Sequence, residues 1–567
     1  MEIRPANLGA AERAVQEALA ELAGQDVIGR IWSKDASVWR GPAREIAGRL
    51  GWLTAPEDSL RRLPGFEALA FEVRAEGFRE AAVLGMGGSS LAPEVLSRVF
   101  PTGGTGLRLS IHDSTAPAAV LEAARRLDIE RTLFLVSSKS GTTVETLSLF
   151  RYFYGLVAGL AGREAAGRSF LALTDPDTPL EREARALRFR AVVHGDRDVG
   201  GRFSVFTPFG VVPAALQGLD VRRLLGEGRR AAALCREADP ARNPGARLGA
   251  MLAVMAREGR DKLSLVASEE IRPFGAWLEQ LVAESTGKNG RGILPVLEDS
   301  PLAASALGAD RFYAVLRLEG DARLDADIRA LADRGVPHAV LPVADRYELG
   351  GQFFLWEMAT AVAGRLLEVN PFDQPNVESA KAIARDRLRA FREEGAFPVE
   401  SPSLAEDGIA LFGAGPAGGL GPAFRTFLDL GRTGDYVALL AFLAPDAATE
   451  ALLRSLTAAV RDRTGLASTW GWGPRYLHST GQLHKGDAGR GLFIVLSAAD
   501  AEDIPIPDAA GEARSATGFG TLKAAQALGD DTALRTAGRR VLRVDLGSDA
   551  TAGLKRLVSL LDVRDRP

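Results

Sequence analysis

Three observations predict an α/β protein built from parallel sheets with helices on both faces. Short apolar runs alternate with helical patterns along most of the chain. Several runs end in glycine- and hydroxyl-rich turns that open directly into a helix. At 567 residues, the chain is too long for one ordinary core and suggests roughly three or four domains.

Residues 1–75 read as helices. Leu8 to Leu22 is amphipathic, and Val38 to Leu50 and Leu60 to Glu72 follow the same period. Strand-like runs then follow at Ala81–Leu84, Leu107–His112, Thr132–Val136, Phe170–Thr174 and Ala191–His194. These define a first doubly wound domain over 76–235. A second, over 236–398, uses Leu263–Ala267, Phe312–Leu316 and Ala339–Pro342. The stretch Pro398-Val399-Glu400-Ser401-Pro402-Ser403 reads as a linker into a third α/β segment, 399–567. That segment has runs at Ile409–Phe412, Tyr436–Leu443, Leu492–Leu496 and Val541–Leu546.

Composition narrows the function classes. Hydrophobic residues make up 46% and charged residues 25%, as in a soluble globular protein. A net charge of −4 gives no nucleic-acid footprint. No apolar run reaches membrane-spanning length, and the opening residues lack a signal peptide's apolar stretch. Cys235 is the only cysteine, which excludes an internal disulfide and any multi-cysteine metal site. A cytoplasmic setting is expected. The 69 basic residues include only eight lysines. Four of them, Lys139, Lys288, Lys381 and Lys485, fall inside the glycine- and hydroxyl-rich segments, where a mobile ammonium suits phosphate or hydroxyl groups.

The most informative segment is Val136-Ser137-Ser138-Lys139-Ser140-Gly141-Thr142-Thr143-Val144-Glu145-Thr146. Small hydroxyl residues and a glycine at a strand-to-helix turn bring amide and Oγ groups to one point, a cradle for a phosphate dianion. It has no P-loop Gly-Lys-Ser/Thr, so the phosphate is read as a handle rather than a transferred group. Gly85-Met86-Gly87-Gly88-Ser89-Ser90 also follows a strand, and as a dinucleotide fingerprint it lacks the third glycine. Gly413-Ala414-Gly415-Pro416-Ala417-Gly418 matches that fingerprint formally but contains a proline. It is preferred as a glycine-rich turn.

Three further segments carry ionisable groups. Gly200-Gly201-Arg202 can aim a guanidinium at an anion, or be a surface turn. Phe274 to Lys288 is an amphipathic helix with Gln280 and Glu284 one turn apart. Glu284 beside the apolar stripe could be a general base. Spacing alone prefers an ordinary Glu284–Lys288 i,i+4 surface pair. Trp470 to Gly486 holds His478 and His484, six residues apart rather than at the i,i+4 spacing of helical zinc ligands. Proton transfer is therefore preferred to metal binding there.

Taken together, GMGGSSLAPE, SSKSGTTVET, VGGRFS, QLVAESTGK, NPFDQPNVESAK and HSTGQLHKG resemble the phosphoglucose isomerase family, of the sugar-isomerase (SIS) fold. The resemblance is closest to the isomerase half of bacterial bifunctional transaldolase–phosphoglucose isomerases, and runs from about residue 30 onward. It implies SIS-type sheet domains and reversible isomerisation of glucose 6-phosphate and fructose 6-phosphate through a cis-enediolate. No metal or redox cofactor is implied, because proton and electron pair stay within the substrate. A homodimer is expected, with a small sugar phosphate as the only other partner.

Residue by residue, the resemblance implies that Gly88 and Ser89 border the sugar. Ser138, Lys139, Ser140 and Thr143 hold the 6-phosphate, with Thr142 adjacent, and Gln374 closes that site. Arg202 stabilises the enediolate, Gln280 lines the site, and Glu284 shuttles the proton between C2 and C1. Lys381 assists ring opening. The family's catalytic histidine precedes its FDQ motif, whereas here that interval holds only His338, read as core. The histidine segment is expected to return after FDQ, with His478 first and His484 second for ring opening. A transaldolase barrel of roughly 200 or more residues does not fit beside these segments, so isomerase activity alone is expected. Alternatives left open are a dual phosphoglucose/phosphomannose isomerase, a non-catalytic SIS protein that binds a sugar phosphate, and a Schiff-base aldolase remnant.

Overall fold

Parallel strands tie the chain into three main sheets in a computed structural model that describes residues 2–101, 106–298 and 308–561. The described residues fall into two compact units. The first runs to Asp113, resumes at Leu127 and ends at Gln374; the second takes Ser114–Arg126 and the chain from Pro375 onward.

The first unit contains two five-stranded sheets. One has the order β3-β2-β4-β5-β6, with β2 Glu80–Gly85, β3 Arg108–His112, β4 Thr132–Ser137, β5 Phe170–Thr174 and β6 Ala191–His194, all parallel. Its inner strands β2, β4 and β5 are buried throughout, as expected for a sheet covered on both faces. The other has the order β1-β10-β9-β7-β8. Here β7 Lys262–Ala267, β8 Leu294–Leu297, β9 Arg311–Leu318 and β10 His338–Val343 are parallel, and β1 Arg4–Ala6 closes one edge antiparallel to β10. A single apolar core joins both sheets to the N-terminal helices Ala11–Gly24 and Ala55–Ala75.

The expected strands of these sheets are all present. The expected helix Val38–Leu50 is not continuous. It breaks into a 3-10 turn at Ala36–Val38 and a short helix at Ala43–Ala47. Gly41 lies at φ +133° between them, and Pro42 has no N–H to continue a ladder. Strands β1 and β8 are not legible in the sequence. Both are short edge strands carrying a proline, Pro5 and Pro295.

Phe353, on the buried helix Leu349–Leu366, is the hub of the aromatic core. Its ring lies 4.7 Å from Trp277, 5.0 Å from Phe274 and 6.2 Å from Phe206. This packing fixes the helix Phe274–Thr286 that carries Gln280 and Glu284.

The second unit holds a six-stranded sheet of order β11-β12-β18-β15-β13-β14. The strands are β11 Leu404–Glu406, β12 Ile409–Phe412, β13 Tyr436–Phe442, β14 Ala467–Trp472, β15 Gly491–Ser497 and β18 Arg540–Asp545. β13, β14, β15 and β18 are parallel, and β12 runs antiparallel to β11 and β18. A two-stranded ribbon, β16 Pro505–Ile506 with β17 Thr517–Gly518, is separate. Helix Val377–Glu394 packs on Phe519–Thr536, and the missing side chain of Gly529 lets the Ala384 backbone approach closely. That helix groups with this unit, although its sequence position suggests the second sheet domain. Among the described residues no helix is long and apolar enough to cross a membrane.

Truncating Phe353 to Ala removes the ring that braces the Glu284 helix and leaves a cavity. We expect a loss of about 3–5 kcal/mol, read as a lower urea midpoint by tryptophan fluorescence. A midpoint unchanged from wild type would contradict this packing account.

Candidate functional site

Strand β4 ends at Ser137, and the hydroxyl turn follows before helix Val144–Ala161 begins. Ser138 is buried, with its Oγ 3.0 Å from Thr143 Oγ1 and accepting the Gly141 amide at 3.1 Å. Gly141 sits at φ +66°, which a side chain would resist. Ser140 Oγ lies 2.9 Å from Thr142 Oγ1 at the exposed rim. Thr143 occupies the N-cap position without capping through its side chain. The first-turn amides have no intrahelical acceptor, so the turn presents donors suited to an anion.

Lys139 departs from expectation. Its ammonium donates to Asp175 Oδ2 at 2.6 Å and to the Asp196 carbonyl at 2.8 Å. Burial lowers its pKa, opposed by Asp175. In this structure it braces the ends of neighbouring loops and is not one of the cradle donors.

The glycine turn after β2, Gly87–Ser89, lies directly against the arginine turn Gly201–Phe203. A Cβ on Gly88 would collide with the Gly201 carbonyl, so only glycine permits this approach. Ser137 Oγ donates to the Ser89 carbonyl at 2.9 Å, which joins this turn to the end of β4. Helix Phe274–Thr286 touches both turns.

Arg202, 4% exposed, is bonded through its whole guanidinium. Nε donates to Ser285 Oγ at 2.8 Å. Nη1 donates to Gln374 Oε1 at 3.1 Å and lies 3.2 Å from Glu284 Oε1. Nη2 donates to the carbonyls of Pro371 at 2.7 Å and Asp373 at 2.9 Å. These contacts account for all five N–H donors of an arginine. The expected role on an enediolate is therefore not preformed. It needs Nη1 to exchange Gln374 or Glu284 for the substrate oxygen.

Glu284 is 9% exposed and also accepts from Gln280 Nε2 at 3.1 Å. The alternative Glu284–Lys288 surface pair is absent. Lys288, 1% exposed, instead donates to the Asn370 carbonyl at 2.7 Å, the Asp373 carbonyl at 2.6 Å and Asp373 Oδ1 at 2.8 Å. Burial first, and the Arg202 charge next, push its pKa down to about 8. Sequence reasoning notes Lys288, one of eight lysines, only for falling in a glycine- and hydroxyl-rich segment, and gives no signal for Ser285 or Asp373.

Gly88, Ser89, Ser138, Ser140, Thr142, Thr143, Arg202, Gln280, Glu284 and Gln374 all belong to the first unit. Lys381 and His478 belong to the second. Lys381 Nζ pairs with Glu378 Oε1 at 3.0 Å. His478 ends the 3-10 turn Arg475–His478 and is half-buried. Two hydrogen bonds tie this motif to the chain following FDQ: Asn376 N to Gln482 Oε1 at 2.9 Å, and Gln482 Nε2 to Asn376 Oδ1 at 2.7 Å. His484, the second choice for ring opening, does not fit that role. It is buried in an aromatic cage with Phe493 at 5.0 Å and Tyr476 at 5.9 Å, neither ring nitrogen has a hydrogen-bond partner among the described residues, and burial drives its pKa far down. His338 is core, as read, with Nδ1 2.8 Å from the Val336 carbonyl. Among the described residues no group of three or more His, Cys, Asp or Glu is placed to hold a metal.

Comparison with known proteins places this geometry in a lineage. The phosphoglucose isomerase family model matches residues 75–293, which include the hydroxyl turn, Arg202 and Glu284. The glucose-6-phosphate isomerase of Rubrobacter xylanophilus is 31% identical over 368 residues, covering 56% of this chain and 85% of the relative. That of Thermus thermophilus is 30% identical over 402 residues, covering 61% and 91%. Among solved structures, a hypothetical protein from Thermus thermophilus superposes with a TM-score of 0.57 at 25% identity, over 68% of this chain and all of that one. A glucose-6-phosphate isomerase from Chlamydia trachomatis shares the fold with a TM-score of 0.55 at 17% identity, over 67% of this chain and 87% of that one. With the extent of these matches and the buried acid–guanidinium pair at their centre, the chain belongs to the phosphoglucose isomerase family.

Proposed function

We propose that this chain interconverts glucose 6-phosphate and fructose 6-phosphate, with Glu284 moving one proton between C2 and C1. The observation that carries the reading is the buried Glu284 carboxylate, fixed between Arg202 at 3.2 Å and Gln280 at 3.1 Å. A base held in one orientation can serve two adjacent carbons without moving its backbone.

The roles follow from the geometry and the family match. Ser138, Ser140, Thr143 and the amides of their turn hold the phosphate, with Thr142 at the rim, so binding at a non-reacting group orients the sugar. Gly88 and Ser89 border the sugar, and Gln374 closes the phosphate site. Lys381 and His478 are assigned to ring opening on the motif match. Glu284 then takes the proton from C2, the C1–C2 double bond forms, and charge passes to the carbonyl oxygen at C1. Arg202, exchanging one Nη1 partner, stabilises that oxyanion. A proton moves between the two enediol oxygens, Glu284 returns its proton to C1, and the ketose results. Lys288 is a positioning residue that keeps the Asn370–Asp373 loop in place beside Gln374. A cytoplasmic setting belongs to the same reading, supported by the single buried cysteine, Cys235. A homodimer is part of it on the resemblance alone.

Glu284→Gln keeps the size and one hydrogen bond of the side chain and removes the base. Turnover should fall by about 10²–10⁴-fold while sugar-phosphate affinity changes little. Normal turnover in that variant would mean the base is misassigned.

Lys288 gives a second, independent expectation. Its folded pKa of about 8 lies below the ordinary lysine value of 10.5. Between those values the unfolded chain carries a proton that the folded chain has shed, so stability contributed by this group rises with pH; its cost is present in full below pH 8. Urea midpoints of wild type should therefore climb relative to Lys288→Met as pH rises from 8 towards 10.5. Parallel profiles would contradict a buried, depressed amine.

A further inference from the structure

Within the second unit, a cavity of about 420 Å³ opens where the ends of β12 and β18 meet helices Val377–Glu394 and Phe519–Thr536. Its walls carry three arginines, Arg387, Arg535 and Arg543. None has a place in the isomerase site. We propose that this cavity is a second, separate binding site, for a small phosphorylated metabolite.

The charge balance is the first argument. Arg535 Nε donates to Asp531 Oδ1 at 2.9 Å, and Arg543 bonds Glu400. Both carboxylates of the cavity are thus already paired. Arg387 donates to the Thr532 hydroxyl at 2.9 Å, and no carboxylate pairs with it among the described residues. Three guanidinium groups against two acids leave one positive charge for an incoming anion.

Donor supply is the second argument. Arg543 is buried, and the Nε groups of both Arg387 and Arg543 are closed off from solvent without an acceptor among the described residues. Buried N–H groups are almost always bonded, so this pair beside a basic cavity offers donors that an incoming anion would satisfy. Thr536 adds a hydroxyl to the same wall, whereas Thr532 Oγ1 already donates to the Leu528 carbonyl at 2.7 Å.

The site is also built. Arg543 faces Phe412 across the β12–β18 register, and its guanidinium stands 3.9 Å from the centre of that ring, which fixes it. Gly413 follows at φ +82°, and its missing Cβ leaves room for the Arg535 guanidinium against the backbone. The volume exceeds that of bare phosphate and lies in the range of pockets for small ligands. Arginine forks match the oxygens of a phosphate monoester. The glycine-rich turn Gly413–Gly418, a weak nucleotide fingerprint in the sequence, thereby gains a different reason: its first glycine seats an arginine.

Calorimetric titration of the full chain with inorganic phosphate at low ionic strength tests this. Wild type should show a site beyond the hydroxyl turn. Arg387→Ala and Arg387→Gln should each weaken it by about tenfold or more, the loss of one charged hydrogen bond, with isomerase turnover unchanged. A Ser138→Ala/Thr143→Val double variant should retain it. The proposal is overturned if wild type and both Arg387 variants titrate alike. It is overturned equally if Arg387→Gln binds as wild type does, or if the double variant binds no phosphate at all.

Discussion

A buried guanidinium is the constraint on which the rest of the first unit depends. Arg202 is buried, and burying a charge is costly unless every donor is met. The chain meets them from four directions: Ser285 and Glu284 on one helix, Gln374 beyond it, and the carbonyls of Pro371 and Asp373. Lys288 clasps the same loop through Asn370 and Asp373. Two buried cations therefore hold one short irregular segment whose carbonyls would otherwise lack partners.

This arrangement links stability to chemistry. The Asn370–Gln374 loop is ordered because the cations need its oxygens, and the cations are tolerated because the loop supplies them. Glu284 is part of the same balance, so its orientation is set before any substrate arrives. The close approach of Gly88 to Gly201 brings the arginine turn to the mouth of the first sheet, next to Ser89 and the start of the hydroxyl turn. The site thus lies beyond the carboxyl ends of parallel strands, where open α/β sheets place their ligands.

Much of this is legible from periodicity and turn chemistry. Phe170–Thr174, Ala191–His194 and Ile409–Phe412 can be read to the residue, because each is a compact apolar run bounded by polar residues or turns. Val38–Leu50 misleads because helical period survives a Gly41-Pro42 interruption that the backbone does not. Ala467–Trp472 is missed, and its end from Trp470 is read into a histidine motif, since Ser468, Thr469 and Gly471 mask its strand character. The site residues that escape the sequence are those whose partners are remote along the chain. Spacing offers Glu284 as the partner of Lys288 four residues away, whereas the structure supplies Asn370, 82 residues on. Likewise HSTGQLHKG ranks His478 ahead of His484 without a physical reason; the aromatic cage around the latter supplies one.

Proton NMR of glucose 6-phosphate incubated in D₂O with the intact chain and EDTA tests the central claim most directly. A single fixed carboxylate that lifts a proton off C2 must at times lose it to solvent. The account predicts deuterium entering C2 of the aldose as fructose 6-phosphate forms. Interconversion through many turnovers with no deuterium at C2 would contradict it, because a proton resting on Glu284 in every turnover would have had repeated chances to exchange.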